Sequence, residues 1–121
     1  MKPSPCLALH ELGQSVWLDT INDGLLISGE LESLIRTGSV YGVTSNPTIF
    51  KGAIGGDKYS YPAEIARLAS AGKTAEAIYN ELSIRDIVRT ADLLADTYRR
   101  GVGRDGFVSL EVPPALAHDT E

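Results

Sequence analysis

Three short runs rich in β-branched and aromatic residues, set far apart and each closing on polar side chains, constrain this chain more than anything else in it. They are Ser15-Val16-Trp17-Leu18-Asp19, Val40-Tyr41-Gly42-Val43-Thr44-Ser45-Asn46 and Gly106-Phe107-Val108-Ser109-Leu110-Glu111-Val112, and the stretches between them read as helices. A strand-helix-strand-helix-strand order needs crossover connections, which are right-handed and give a parallel sheet covered by helices. The predicted class is therefore α/β. Three strands make an incomplete layer. A closed eight-stranded barrel of such units takes about 250 residues, roughly twice the 121 present, and an open parallel edge leaves backbone groups unpaired. Either more chain completes the layer or several copies complete each other.

The helical segments carry their own punctuation. Leu7 to Gln14 predicts a helical turn or two before the first strand. Asp19 to Gly24 reads as a loop, because Asn22, Asp23 and Gly24 are turn formers. Ser28 is the expected N-cap of a helix with Glu30 and Glu32 in its first turn and Leu31, Leu34 and Ile35 at helical spacing, stopped at Gly38. Asn46-Pro47 fits an N-cap followed by proline at the first helical position, where a missing N–H costs nothing, and Gly55-Gly56 ends that helix. Pro62 to Ala71 is amphipathic around Ile65 and Leu68. Ser83-Ile84-Arg85-Asp86 resembles a capping box with aspartate in the last place. It predicts two consecutive helices between Thr74 and Arg100, the later one burying Ile87, Val88, Ala91, Leu94 and Tyr98.

Composition narrows the function classes. The chain is 43% hydrophobic and 22% charged, the makeup of an ordinary globular unit. Its net charge is -5 and its 11 Lys and Arg are scattered, so the basic footprint of a nucleic-acid binder is missing. A phosphate-bearing partner has to be held locally. No run reaches the ~18 apolar residues of a membrane span, and the apolar part of Met1 to Leu9 is too short for a signal peptide; the expected location is the cytoplasm. The lone Cys6 cannot form an internal disulfide and reads as a bystander.

Barrels of parallel strands place their chemistry at the C-terminal strand ends, which singles out a few residues. Asp19 follows a strand interior; the plain alternative is that it bends the loop toward Asn22-Asp23. Glu111 interrupts an apolar run, so it is either an exposed edge carboxylate or a buried one whose pKa is raised into the range of a general acid or base. Thr44-Ser45-Asn46 puts hydroxyls and an amide above a helix N-terminus, suited to a polar or anionic group but equally to plain capping. His10 and His118 share no ligand spacing, so no metal site is expected. Trp17 and Phe107 read as core, and Arg99-Arg100 with Arg104 as a solvated face at a helix C-terminus. No phosphate-loop, dinucleotide or zinc pattern occurs.

Taken in order, Ser15-Val16-Trp17-Leu18-Asp19, Gly42-Val43-Thr44-Ser45-Asn46-Pro47-Thr48 and Val108-Ser109-Leu110-Glu111-Val112 strongly resemble the N-terminal part of bacterial transaldolases. Leu9 to Gln14 and Leu116 to Glu121 resemble that family too. The resemblance implies a (β/α)8 TIM barrel of the class I aldolase type, with residues 1–121 as the N-terminal part of its single domain, incomplete at the C-terminus. It implies transfer of a dihydroxyacetone unit between sugar phosphates, from sedoheptulose 7-phosphate and glyceraldehyde 3-phosphate to erythrose 4-phosphate and fructose 6-phosphate. The chemistry runs through a Schiff base, in the pentose phosphate pathway, without metal or organic cofactor. By that likeness Asp19 is the acid/base of carbon–carbon cleavage. Glu111 acts through a water on carbinolamine formation and Schiff-base hydrolysis, and Asn46 holds substrate hydroxyls with Thr44 in support.

One departure stands out. Family members form the Schiff base with a lysine on the strand after the one bearing Glu111, and Lys2, Lys51, Lys58 and Lys73 all fall in tail, helix or loop sequence. A lysine nucleophile needs a site that lowers its pKa, and these positions offer none. The chain alone is therefore expected to be inactive. The alternative reading is a non-catalytic interaction module, a partial barrel that self-associates to cover its unfinished sheet.

Overall fold

The computed structural model describes residues 4–56 and 61–120. Its three strands, β1 (Trp17–Leu18), β2 (Gly42–Val43) and β3 (Phe107–Val108), lie side by side in that order and are all parallel, with Trp17, Gly42 and Phe107 on one level and Leu18, Val43 and Val108 on the next. Hydrogen bonds extend this ladder on both sides. The amides of Tyr41 and Thr44 donate to the carbonyls of Val16 and Leu18, both at 2.9 Å, and those of Gly106 and Ser109 donate to Tyr41 and Val43 at 2.8 and 2.9 Å. The parallel α/β arrangement expected from the sequence is present. The third strand is shorter than Gly106 to Val112, because pairing stops at Ser109 and Leu110 onward lies outside the sheet.

Helix α1 (Pro5–Glu11) precedes β1, helices α2 (Asp23–Ile27), α3 (Glu30–Arg36), α4 (Pro47–Ile54), α5 (Tyr61–Ser70) and α6 (Ala75–Arg100) fill the connections, and a 3-10 turn at Pro114–Leu116 follows β3. Successive strand residues face opposite sides. Leu18, Val43 and Val108 turn toward the helices, where Val43 joins a core with Ile21, Leu31, Phe50, Leu82 and Leu94. Trp17 and Phe107 turn the other way and are 36% and 44% exposed, correcting the expectation that both are core. That side is only partly covered: among the described residues the Phe107 ring meets Tyr98 of α6 edge-on, with centroids 5.3 Å apart. Gly42 sits between Trp17 and Phe107 because a Cβ there would lie 2.4 Å from the Trp17 indole.

Three helix expectations are corrected. Asp23 and Gly24 do not form a turn but open α2, capped by Asn22, whose side-chain oxygen accepts from the Leu25 N–H at 3.0 Å. Ala75–Arg100 is one 26-residue helix capped by Thr74, not two. The apparent capping box fails because Asp86 has stronger partners: the Tyr61 hydroxyl donates to its Oδ2 at 2.5 Å and Arg85 Nε to its Oδ1 at 3.0 Å. That pairing draws the polar Ser83, Asp86, Thr90 and Thr97 into the interior with Leu82 and Leu94, and rotates Val88, Ala91 and Tyr98 outward. Ser28 is also displaced from its expected role, since Gly29, with φ 75°, takes the N-cap position of α3.

The Asp86 cluster fastens three helices. Tyr61 on α5 also accepts the Asp23 N–H at 2.7 Å, and Arg89 on α6 donates to Asp23 Oδ1 at 2.7 Å. Asp23 and Asp86 are both fully buried, a placement carboxylates tolerate only when paired and hydrogen-bonded. Among the described residues no helix is long and apolar enough to cross a membrane.

Candidate functional site

The ladder fixes a row of polar groups one step beyond the last paired level. Asp19 follows Leu18, Thr44 follows Val43 and Ser109 follows Val108, so the three stand abreast at the C-terminal ends of adjacent strands. Thr44 Oγ1 donates to Asp19 Oδ1 at 2.6 Å. Ser45 turns inward and is buried, where its Oγ donates to the Ser109 carbonyl at 2.6 Å and its N–H to Ser109 Oγ at 3.4 Å. Asp19 itself is exposed, on the same side of the sheet as Trp17. The row can accept and donate protons to a polar group laid across the strand ends.

Asn46 lies two residues further along and does what the sequence predicted, capping α4: its side-chain oxygen accepts the Ile49 N–H at 2.9 Å, with Pro47 as first helical residue. That leaves the amide NH2 group as the donor it can present. Glu111 occupies the corresponding place after β3, three residues past Val108 as Asn46 is three past Val43. It is exposed, and it lines a cavity of about 240 Å³ with Ser83 and Ile84 of α6 and with Leu110 and Leu116. Of the two alternatives for this glutamate, the solvent-facing one is observed. Among the described residues no hydrogen bond or ion pair joins Glu111 to Asp19 or Asn46.

Of the four lysines, Lys51 is an exposed residue of α4, and Lys73 lies between α5 and α6 in an ion pair with Glu81. Lys2 and Lys58 fall outside the described residues. Neither described lysine sits at a strand end. His118 lies in the exposed segment after the 3-10 turn, and among the described residues no group of three potential ligands gathers around it or His10.

Sequence reasoning missed a second cluster, at the opposite end of the strands. His10 Nε2 lies 2.9 Å from Asp105 Oδ2, Ser15 Oγ donates to Asp105 Oδ1 at 2.6 Å, and Trp17 Nε1 donates to Ser15 Oγ at 3.0 Å. The His10 ring stacks on Tyr41, with centroids 3.8 Å apart and planes within 4°. Burial on its own raises the Asp105 pKa, but the hydrogen bonds from His10 and Ser15 and the charges of His10 and Arg104 outweigh it and hold the carboxyl below its usual range. The tie joins residues 95 apart in sequence, and no spacing rule foreshadows such a pair. The only signal was that Asp105 precedes a strand.

Fold and site together define a class: a segment of a parallel β/α barrel whose polar groups stand at the C-terminal strand ends. The sequence model of the transaldolase/fructose-6-phosphate aldolase family matches residues 16–121. Similar proteins include a transaldolase of Trichodesmium erythraeum, 41% identical over 95% of this chain and 30% of its own length. Others are transaldolase 1 of Streptomyces coelicolor, 45% identical over 93% and 29% respectively, and transaldolase 2 of Nostoc punctiforme, 39% identical over 100% and 32%. The chain belongs to the transaldolase/fructose-6-phosphate aldolase family and is a partial TIM barrel of that family. It spans about 30% of the length of the curated relatives it matches.

Proposed function

We propose that this chain supplies the first acid/base and hydroxyl-holding groups of a transaldolase-type site. That site moves a dihydroxyacetone unit between sugar phosphates through a Schiff base, in the cytoplasm and within the pentose phosphate pathway. The observation that carries the reading is the row at the strand ends: a carboxylate, Asp19, hydrogen-bonded to Thr44 at 2.6 Å, with Asn46 next along the same strand. In this scheme Asp19 takes and returns the substrate hydroxyl proton as the carbon–carbon bond breaks and forms. The Thr44 hydroxyl, by donating to Asp19, keeps one carboxylate oxygen oriented and leaves the other for substrate. Asn46 offers its NH2 to substrate hydroxyls. Glu111 works through a water in carbinolamine formation and in hydrolysis of the Schiff base, and its exposed position gives it access to that water.

The amine is the missing part. Lys51 is solvated and Lys73 is matched with Glu81, so neither has the desolvation or neighbouring positive charge that makes a lysine nucleophilic. The 121 residues alone are then inactive. A direct test is borohydride reduction with fructose 6-phosphate followed by mass spectrometry. A chimera completed with the remaining length of Streptomyces coelicolor transaldolase 1 should trap an adduct on a lysine of the added part, and the present chain should trap none. An adduct on Lys51 or Lys73 would overturn the assignment.

The partly exposed Trp17 and Phe107 favour a second reading, in which their face of the sheet meets another copy of the chain and serves as an interaction surface. Light scattering separates the two: a well-folded monomer removes this alternative.

A further inference from the structure

The arginines divide into two groups. Of the seven, four are matched with carboxylates: Arg67 with Glu64, Arg85 with Asp86, Arg89 with Asp23 and Arg99 with Asp96. Among the described residues Arg36, Arg100 and Arg104 have no acidic side chain within ion-pair distance. All three line a pair of adjoining clefts at the N-terminal end of the strands, away from the row of Asp19 and Thr44. Arg100 and Arg104 border one of about 740 Å³, Arg36 and Arg100 border one of about 320 Å³, and the two clefts share His10, Arg100, Gly101 and Asp105.

In a chain with 16 acidic residues and a net charge of -5, guanidinium groups find carboxylate partners easily. Three without one, collected at a single concavity, mark a place where positive charge is kept open. The carboxylate in the cleft wall, Asp105, offsets only part of that charge: its oxygens are engaged with His10 at 2.9 Å and Ser15 at 2.6 Å, and Arg104, whose charge acts on it, forms no ion pair with it. The loop that presents Arg104 is held in place: Gly103 N–H donates to the Tyr98 carbonyl at 3.0 Å and Arg104 N–H to the Gly101 carbonyl at 3.1 Å. Within it Val102, β-branched and 86% exposed, holds φ at 52°, a strained state for such a side chain and one that concentrates at functional segments.

We propose that this end of the sheet binds a phosphate group, gripped by Arg36, Arg100 and Arg104 with His10 beside them. Guanidinium forks arriving from α3, from the end of α6 and from the loop before β3 suit a tetrahedral dianion with three acceptor oxygens better than a planar carboxylate with two. The larger cleft falls in the size range of small-molecule sites, about 300–1,000 Å³. The inference does not depend on the proposed transferase chemistry, which uses the other end of the strands.

NMR titration of the full chain tests it, with inorganic phosphate and glycerol 3-phosphate as separate arms and malonate, a dicarboxylate dianion without a tetrahedral oxygen cluster, as the comparator. Phosphate should shift the amides of residues 100–105 and the His10 ring, and whichever phosphate species binds tighter identifies the source of the ligand. Arg100→Gln with Arg104→Gln removes two exposed side chains, so folding persists, and should weaken binding by about tenfold for each guanidinium lost. Arg99→Gln, which borders neither cleft, should bind as the parent does. Equal titration of the parent and the double variant overturns the proposal. So does equal binding of malonate, or a response confined to Thr44, Ser45 and Asn46.

Discussion

Replacing Tyr61 by phenylalanine deletes one oxygen and disturbs three helices. The phenol donates to Asp86 at 2.5 Å and accepts the Asp23 N–H at 2.7 Å, all in the interior. A hydrogen bond to a charged group contributes about 1.5–3 kcal/mol, and a buried N–H left unsatisfied costs about 1–3 kcal/mol, so Tyr61→Phe should lose about 3–6 kcal/mol, a large share of the 5–15 kcal/mol typical of a folded domain. With urea m-values of about 1–3 kcal/mol/M, the unfolding midpoint followed by far-UV circular dichroism should fall by about 1 M or more. The variant also has a pH signature. Burial first, then the hydrogen bond to Asp86 and its charge, push the Tyr61 phenol above the usual tyrosine range. An unfolded tyrosine releases its proton near pH ~10, while the folded one retains it. Above that pH the folded state therefore binds more protons than the unfolded state, and stability declines as pH rises. The parent should lose stability steeply above pH ~10, and Tyr61→Phe should lose it less steeply, the remainder including Tyr41, whose pKa burial and the charge of Asp105 also raise. An unchanged midpoint at neutral pH, or equal alkaline slopes, would refute this account of the network.

Two further outcomes follow from close contacts at strand and helix ends. Gly106→Ala should destabilise the chain by about 3 kcal/mol or more, because φ at 85° disfavours a side chain and the new Cβ lies 2.3 Å from the Tyr98 backbone nitrogen in α6; a thermal melt indistinguishable from the parent's contradicts it. Asn46→Ala should cost about 1 kcal/mol by uncapping α4 while Asn46→Asp preserves stability. If Asn46→Asp, placed in the completed chimera, left the KM for fructose 6-phosphate untouched, the role of its NH2 in holding hydroxyls would be withdrawn.

The sheet was legible because its signals are local. Val40 to Val43 is short and β-rich, Asn46-Pro47 announces a helix start, and strands separated by helices leave few topologies. What escaped notice depended on distant partners. Asp86 has the local signature of a capping residue, but its partner Tyr61 lies 25 positions away, and that one bond explains both the unbroken α6 and the rotation of its buried face. Trp17 and Phe107 read as core because large apolar residues usually are; they are partly exposed because the helices pack mainly against the Leu18, Val43 and Val108 side, which a hydropathy pattern does not reveal. At the candidate site, Asp19, Thr44 and Asn46 could be placed from the strand ends alone, whereas the His10–Asp105 tie needed coordinates.

The register of β1, β2 and β3 carries a consequence for any strand joining beside Phe107. Side chains alternate with a period of two, so a newcomer's residues divide between the storey of Asp19, Thr44 and Ser109 and the one that dives toward the helices. An amine meant to meet that carboxylate has a single parity available to it. A slip of one position, leaving every backbone hydrogen bond countable as before, would bury the amine among Val43's neighbours and leave the carboxylate facing nothing that reacts.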